Sequence, residues 1–215
     1  MDEYVTTVAA VRDVGPDAVA IDIETPPDFE AEPGQFVKLS AVLDGAREGR
    51  FYTVSSPSVD DTFEFTFGYD PEEAGAFSEY LLQIEPGDEV TIAGPFGDDY
   101  YEGEPRAVLL AGGPGVGPAV AIAERGLAEG GEVAVVYRDD APAHEDRLAA
   151  IAATGAPVFV LTEDAALTEA VAQVLTNADG EQVFIYGFAD FLVEAEEAVA
   201  AAGGDPTEAK AENFG

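Results

Sequence analysis

The chain has 215 residues, of which 47% are hydrophobic and 10% aromatic, enough apolar material for one large core or two modest ones. Its 44 acidic residues outweigh nine lysines and arginines, so the formal net charge is -35. Such a surface repels phosphate backbones and anionic lipids, which argues against nucleic-acid and membrane-surface binding. The absence of cysteine excludes disulfides, thiolate catalysis and cysteine-ligated zinc or iron–sulfur centres. A single histidine, His144, leaves no histidine-cluster metal site.

The acidic residues are spread along the whole chain, against only two lysines, Lys38 and Lys210. A generically acidic soluble protein is one interpretation. We favour adaptation to a salt-saturated cytoplasm, because at molar salt the screening length is about 3 Å and carboxylates no longer repel one another. The N-terminal stretch MDEYVTTVAA does not look like a signal peptide, and no apolar run reaches the ~18 residues of a membrane span. We therefore expect a cytoplasmic protein of a halophile.

The first half of the chain, up to about Gly97, is typical of short strands separated by proline, glycine and aspartate. Six stretches have the alternation or the β-rich content of strands: YVTTVAAV, AVAIDIET, GQFVKLSAVL, RFYTVSS, TFEFTFGY and DEVTIAG. One predicted helix, AGAFSEYLLQI, interrupts them with its apolar residues on one face. Six antiparallel strands with one helix predict a closed or nearly closed β-barrel, which removes exposed strand edges.

From Arg106 onward the pattern changes to apolar strands that alternate four times with helices. The strands are AVLLA, EVAVVY, PVFVL and QVFIY, and the helices are VGPAVAIAERGLAE, HEDRLAAIAA, LTEAVAQVL and FLVEAEEAVAAA. Fully apolar strands in this order indicate a doubly wound α/β domain with a parallel sheet covered on both faces. The polar stretch between the halves predicts a linker over residues 99–106 and therefore two domains, residues 1–98 and 107–215.

A glycine-rich segment, AGGPGVGP at residues 111–118, follows the first apolar strand of the second half. Glycines let the backbone turn sharply and approach a ligand, and the N-terminus of the next helix offers free N–H groups to a phosphate. The segment lacks the G-x-G-x-x-G spacing and the lysine of a P-loop, so a tight turn without a ligand is the alternative. Its position between a strand and a helix favours a nucleotide site.

Two segments of the first half are candidates for anion binding. The strand RFYTVSS, residues 50–56, carries a scarce arginine beside an aromatic ring and three hydroxyls. Arginine can hold a phosphate with two hydrogen bonds and tyrosine can stack on a planar ring, although an ordinary barrel strand is the alternative. At Gly75-Ala76-Phe77-Ser78 the serine and the first amides of the helix could hold an anion, or the segment is a plain helix start.

Taken in order, these motifs resemble the ferredoxin–NADP reductase superfamily. They are PGQFV, R-x-Y-[ST]-x-x-S, G-x-x-S opening a helix, PGDEV with GPFG, AGG-x-G-x-x-P, and ENFG at residues 212–215, and they cover nearly the whole chain. The resemblance implies an FAD-binding barrel, an NAD(P)-binding domain, and transfer of hydride from NAD(P)H to the flavin. Since the chain has no cysteine for an iron–sulfur cluster, the electrons would pass to an external acceptor: ferredoxin, another redox protein, a quinone or free flavin.

The resemblance also implies roles for individual residues. Arg50 would pair with the FAD pyrophosphate, Tyr52 would pack on the isoalloxazine ring, and Thr53 would hydrogen-bond near flavin N5. The rest of the implied FAD site is Ser55, Gly75, Phe77, Ser78 and Phe214, the last as an aromatic shield of the flavin. The implied nicotinamide nucleotide site is Gly112, Gly113, Gly115, Pro118, Arg138 and Gly187. Glu212 lies where many members carry a carboxylate near hydride transfer, so Thr53 and Glu212 are the implied catalytic residues.

Two departures from the family pattern concern the nicotinamide. Pro114 stands where many members have Thr or Ser, and Tyr186-Gly187-Phe188 stands where many have Cys-Gly-Pro. Two alternatives therefore stay open: a flavin-binding electron-transfer subunit with little NAD(P)H activity of its own, and a nucleotide-binding regulatory protein without flavin.

The preference between NADH and NADPH depends on residues 138–140. An acid after the second strand of such a domain can bind the ribose hydroxyls and repel a 2′-phosphate, whereas an arginine attracts it. Two acids, Asp139 and Asp140, stand against Arg138. This composition favours NADH.

Overall fold

The computed structural model describes residues 3–69 and 75–215. The strands of the first half are β1 (Glu3–Gly15), β2 (Ala18–Glu24), β3 (Phe36–Leu43), β4 (Ala46–Thr53), β5 (Thr62–Gly68) and β6 (Glu89–Phe96). They form one antiparallel sheet in the order β4-β3-β6-β1-β2-β5. A bridge between Val54 and Phe65 joins the end of β4 to β5, so the sheet nearly closes on itself. The predicted antiparallel barrel is confirmed.

The interior of the barrel follows from the alternation along its strands, because successive side chains point to opposite faces. Large apolar side chains with 0% exposure fill it: Ile21, Ile23, Val37, Leu39, Phe63 and Phe65. Helix α1 (Ala76–Leu81) adds Phe77 and Leu81 to the same core. This helix is shorter than predicted at its C-terminal end, and Ala74, with which the predicted helix begins, lies outside the described residues.

The second half is a parallel sheet with helices between its strands, as predicted, and it has five strands rather than the four that the sequence pattern indicates. Its elements are β7 (Arg106–Gly112), α2 (Val116–Ala128), β8 (Glu132–Arg138), α3 (Glu145–Ala153), β9 (Val158–Leu161), α4 (Leu167–Val174), β10 (Glu181–Gly187), α5 (Ala189–Ala201) and β11 (Lys210–Asn213). The strand order is β11-β10-β7-β8-β9, and an apolar core lies on each face of the sheet. The order in which strands are added to the sheet reverses between the parallel neighbours β7 and β10, and ligands of such sheets bind outside the carboxyl ends of the strands at that point.

The predicted linker lies against β11, a strand that the sequence pattern did not predict. The ammonium of Lys210 donates to the carbonyl of Tyr100 (2.6 Å) and to the carboxylates of Glu102 (2.8 Å) and Glu104 (2.6 Å). Tyr101 is buried in the core of the second half, and its N–H donates to the carbonyl of Pro33 in the first. The linker therefore packs against both halves.

A polar network fills one side of the contact between the halves. Arg147 of α3 donates to Glu64 of the barrel (3.0 Å), to the carbonyl of Ser55 (3.0 Å) and to Glu124 of α2 (2.7 Å). Glu64 is 5% exposed and also accepts from Arg12. Burial raises the pKa of Glu64 while the two arginines lower it, and the rise is the larger effect.

His144 belongs to the same contact. Its Nε2 lies 2.8 Å from the hydroxyl of Thr66, and burial, with the neighbouring arginines, lowers its pKa to about 3. The histidine is therefore neutral at physiological pH. No helix in residues 3–69 and 75–215 is long and apolar enough to cross a bilayer.

Candidate functional site

A cavity of about 470 Å³ opens between the two halves. The ends of β4 and β5 form one wall, and the glycine-rich loop, Phe188 and the segment after β11 form the other. Seven residues of the predicted sites line it: Arg50, Tyr52, Thr53, Ser78, Pro118, Glu212 and Phe214. The cavity thus joins residues 50–53 to residues 212–214 at the topological switch point of the parallel sheet.

Arg50 is the arginine of this cavity, and its pairing differs from that of the other six. Those six each form an ion pair with Asp or Glu, whereas Arg50 donates only to the carbonyl of Gly49 (3.0 Å) within the described residues. In a chain with 44 acids, a guanidinium without a carboxylate partner beside a cavity is available to an anion. A phosphate is the anion that a guanidinium binds with two parallel hydrogen bonds.

Thr53 and Glu212 meet across the cavity although 159 positions separate them. The hydroxyl of Thr53, at the end of β4, donates to Oε2 of Glu212 on β11 at 2.9 Å. Burial raises the pKa of Glu212 to about 7, with Asp99 adding to the rise and the Thr53 hydrogen bond opposing it. The pair therefore places a carboxyl that gains and loses its proton near neutral pH beside a hydroxyl.

Aromatic rings form much of the remaining wall. Tyr52 stacks on Phe65 with ring centroids 5.0 Å apart, and burial raises the pKa of its phenol, so it stays neutral. Phe214 is held by a hydrogen bond from its N–H to the carbonyl of Gly187 (3.0 Å). Phe188 is 53% exposed and contributes to this wall as well. Such a lining suits a large planar ring system.

A second cavity of about 440 Å³ lies on the other side of Phe188, above the carboxyl ends of β7 and β8. Gly112, Gly113 and Arg138 of the predicted nucleotide site line it, together with Asp139 and acidic residues of α5. Because Phe188 contributes to both cavities, a ligand as long as a dinucleotide could extend from one to the other past this ring.

Two glycines of the loop are required by close packing. A Cβ on Gly115 would lie 2.2 Å from the carbonyl oxygen of Tyr186, and a Cβ on Gly117 would lie 2.4 Å from Oγ of Ser55. The first contact seats the loop on β10, and the second brings the start of α2 against the barrel. The loop can therefore lie between the two cavities only with glycine at these positions.

Five predicted site residues do not line either cavity. Ser55 is fully buried, and its hydroxyl accepts from the N–H of Thr66 (3.1 Å). Phe77 is in the barrel core, and Gly75 precedes α1 in open surroundings. Gly115 and Gly187 serve packing against Tyr186 and Phe191 respectively.

The two departures from the family pattern have different surroundings. Tyr186 is fully buried in the core of the second half, and its hydroxyl donates to the carbonyl of Asp99 at 3.4 Å. Its ring therefore packs in this core and lines neither cavity. Pro114 and Phe188 line the first cavity, so any effect on a nicotinamide would come from these two residues.

The sequence patterns did not indicate every residue of the first cavity. The structure adds Phe51, Thr66, Phe67, Gly68 and Asn213 to its wall. Phe51 and Asn213 stand next to predicted residues, whereas Thr66, Phe67 and Gly68 belong to β5 and carry no motif of their own. Only the closing of the barrel, by the Val54–Phe65 bridge, brings β5 here.

Comparisons with known proteins agree with this architecture. Residues 6–101 match the family described as the oxidoreductase FAD-binding domain. A probable dihydroorotate dehydrogenase B (NAD(+)), electron transfer subunit, of Methanopyrus kandleri is 39% identical over 94 residues, which are 44% of this chain and 33% of that protein. The toluate 1,2-dioxygenase electron transfer component of Pseudomonas putida is 32% identical over 133 residues, 60% of this chain and 38% of that protein. The matches thus span 33% and 38% of these relatives' length.

Solved structures extend the likeness to the whole chain. A ferredoxin NADP+ reductase from Neisseria gonorrhoeae with bound FAD and NADP has a TM-score of 0.81 at 17% identity, covering 100% of both chains. The flavohem-like FAD/NAD binding domain of nitric oxide dioxygenase from Vibrio cholerae has a TM-score of 0.84 at 21% identity, again covering both chains completely. At such identities the likeness concerns the fold. Residues 6–101 therefore match an FAD-binding oxidoreductase domain, and the whole chain has the two-domain fold of flavin-dependent reductase structures.

Proposed function

We propose that the chain is an NAD(P)H-dependent flavoprotein reductase, similar to ferredoxin–NAD(P) reductases, that binds FAD in the first cavity. The observation that carries the proposal is Arg50, a guanidinium without a carboxylate partner among the described residues, next to Tyr52 and the Thr53–Glu212 pair. The match of residues 6–101 to an FAD-binding oxidoreductase domain supports the same cofactor.

The residues of the cavity fit FAD chemically. Arg50 would hold the pyrophosphate, with Ser78 as a further hydrogen-bond partner, and Tyr52 and Phe214 would provide apolar surface for the ring system. When bound, FAD supplies the redox chemistry, accepting a hydride from a nicotinamide and releasing electrons singly or in pairs. The protein contributes position and electrostatics.

The second cavity is the proposed site for the nicotinamide dinucleotide, with NADH preferred. Gly112 and Gly113 line this cavity, as do Arg138 and Asp139, and the glycines bring backbone close to a phosphate there. Phe188 separates this cavity from the first and would have to swing aside or stack for the nicotinamide to reach the flavin site.

The Thr53–Glu212 pair would control charge at the point where the two sites meet. Below pH 7 the carboxyl is mostly neutral, and above it the carboxylate adds a negative charge beside the cavity. Hydride transfer brings negative charge to this place, so an ionised Glu212 should oppose it. We expect the rate of flavin reduction by NADH to fall as the pH rises through about 7. Glu212→Gln should lack this inflection, and Thr53→Ala should move it to higher pH because a hydrogen bond to the carboxylate is lost.

The acceptor in this proposal is external, a ferredoxin or another redox protein, a quinone or free flavin. Relatives named as electron transfer subunits and components of larger enzymes support such a partner. We also propose that the protein works in the cytoplasm of a halophile, on the basis of its charge of -35, and that its domains divide at residues 98 and 107.

One specific observation favours a second candidate function. Phe188 and Pro114, which depart from the family pattern, both line the first cavity, and several relatives are named electron transfer subunits. The chain would then bind FAD and exchange electrons with a partner subunit while reacting slowly with NAD(P)H.

A visible spectrum of the purified protein, followed by anaerobic addition of NADH and of NADPH, separates these functions. A yellow protein bleached by NADH supports the reductase. A yellow protein that neither nucleotide bleaches supports the electron-transfer subunit. A colourless protein that also fails to take up added FAD contradicts both and favours a nucleotide-binding regulator.

A further inference from the structure

The second cavity contains an ion pair that the motifs did not predict. Arg138, the last residue of β8, is in register with Gly112 of β7, so it stands beside the glycine-rich loop. Its Nη1 donates to Oε2 of Glu194 on α5 at 2.5 Å. Its guanidinium carbon lies 5.3 Å from the ring centroid of Phe191. A carboxylate and an aromatic face thus both bind the guanidinium.

The pairing leaves Arg138 less accessible than its partner. The side chain of Arg138 is 13% exposed, whereas that of Glu194 is 51% exposed. The hydrogen bond from Arg138 lowers the pKa of Glu194, which keeps this carboxylate ionised across the physiological range. A phosphate approaching from solvent therefore meets Glu194 first and must compete with it for the arginine.

The other acids near Arg138 accept hydrogen bonds from the chain itself. Asp139 accepts from the hydroxyl of Tyr137 (2.9 Å) and the N–H of Ala141 (2.8 Å). Asp140 accepts from the N–H of Glu163 (3.0 Å). Both carboxylates thus organise the loop after β8. Glu163 and Asp190 also line the cavity, but the carboxylate that pairs with Arg138 among the described residues is that of Glu194, which therefore decides whether the arginine is available.

From this arrangement we propose that Glu194 is a specificity-determining residue, which selects nucleotides without a 2′-phosphate by keeping Arg138 paired. The proposal rests on the proposed nucleotide site and deepens it. Arg138 is the cation lining this cavity among the described residues, so a 2′-phosphate finds no other compensating charge there. Neutralising Glu194 would turn the same arginine into a phosphate ligand.

The test compares Glu194→Gln with wild type using two probes, adenosine 2′,5′-bisphosphate and 5′-AMP, whose dissociation constants are measured by calorimetry at one ionic strength. The substitution should improve the affinity for the bisphosphate relative to AMP by about tenfold or more, the range of one charge-assisted hydrogen bond. The ratio of flavin reduction rates with NADPH and NADH should rise in the same variant.

Two controls test whether the gain in bisphosphate affinity comes from the Arg138–Glu194 ion pair. Glu197→Gln removes the same charge from an exposed position of α5 that has no ion pair among the described residues, and it should leave both ratios unchanged. Combining Glu194→Gln with Arg138→Ala should abolish the gain. An equal gain in Glu197→Gln, or no gain in Glu194→Gln, overturns the proposal.

Flavin reduction and AMP binding in the wild type distinguish failure of the proposed function from failure of the role of Glu194. If NADH bleaches the wild-type flavin and AMP binds, the nucleotide site stands, and an unchanged ratio in Glu194→Gln refutes only the role of Glu194. If neither probe binds any variant and NADH does not bleach the flavin, both proposals are wrong.

Discussion

The two halves of the molecule meet in two regions, and the charged groups are paired in one region but not in the other. On one side, Arg147, Glu64 and Glu124 satisfy one another across the contact, and His144 is bonded to Thr66. On the other side, the halves stand apart around a cavity in which Arg50 has no carboxylate partner among the described residues. The first region fixes the relative position of the halves, and the second leaves a charge for a ligand.

The presence or absence of an ion pair separates structural from functional arginines in this highly charged chain. Removing one partner from a buried ion pair leaves the other charge unpaired at a high free-energy cost, so Arg147 is predicted to matter for stability. Removing Arg50 breaks no ion pair within the described residues, so its loss is predicted to matter for ligand binding.

Salt should raise the stability of the whole protein but leave the contribution of the Arg147 network unchanged. Self-repulsion of a net charge of -35 opposes compaction at low ionic strength, and screening removes it. Thermal midpoints should therefore rise by tens of degrees between about 0.1 M and about 3 M KCl. Buried pairs are screened less, so the difference between Arg147→Ala and wild type should persist at high salt. A flat wild-type profile would show that the acids are not a salt adaptation.

Arg147→Ala should lower the free energy of unfolding by about 3 kcal/mol, the lower end for a broken buried pair, because Glu64 still keeps Arg12. Denaturant titration at one high salt concentration measures this loss. The matched control is Arg125→Ala, which breaks a more exposed pair with Glu129 and should cost at most about 1 kcal/mol. Equal losses of unfolding free energy in the two variants would mean that the Arg147 network stabilises the fold no more than an exposed ion pair does.

Arg50→Ala should purify with little flavin yet stay folded in high salt. A charge-assisted contact contributes about 1.5–3 kcal/mol, which corresponds to roughly ten- to a hundredfold in affinity. The measurement is flavin per polypeptide after gel filtration. Arg47→Ala is the control, since it lies on the same strand but is paired with Glu3, and it should retain FAD. Equal occupancy in Arg50→Ala and wild type would contradict the proposed flavin site.

Glu212 should make the stability of the protein depend on pH, with a defined sign. Its pKa rises from 4.5 to about 7 on folding, so between these values the folded protein holds a proton that the unfolded chain releases. Stability therefore falls as the pH rises through this window. The thermal midpoint of Glu212→Gln should gain on that of wild type from about pH 5 to about pH 8. Parallel profiles would show that Glu212 titrates normally.

Local patterns predicted the elements well where periodicity was strong. The alternation in the barrel strands and the apolar runs of β7, β8 and β10 each determine an element within a few residues, because burial on one or both faces leaves a period in the sequence. Strand β11 was missed because four residues, KAEN, contain no alternation and are held by pairing with β10. Its position depends on the rest of the fold.

The site was less predictable because it depends on contacts between distant segments. The resemblance implied Thr53 and Glu212 separately, and only the fold brings them to 2.9 Å. Ser55 lies next to the cavity residues in sequence, but its side chain points into the contact between the halves. Strand β4 ends at Thr53, so the alternation of side chains along the strand no longer applies at Ser55. The Arg147–Glu64 contact joins residues 83 positions apart that carry no motif, so nothing local predicts it.

The pairing of nearly all cations has a consequence for how fast a ligand arrives. An anionic dinucleotide that diffuses toward this molecule meets a long-range repulsive potential and feels an attraction only within the last few ångströms, near Arg50 or the glycine-rich loop. Many enzymes with charged substrates show the reverse, with encounter rates that are highest in dilute buffer and fall as salt is added. Here we expect the association rate constant to increase with ionic strength, so that added salt would favour both the folded state and the approach of an anion to the proposed site.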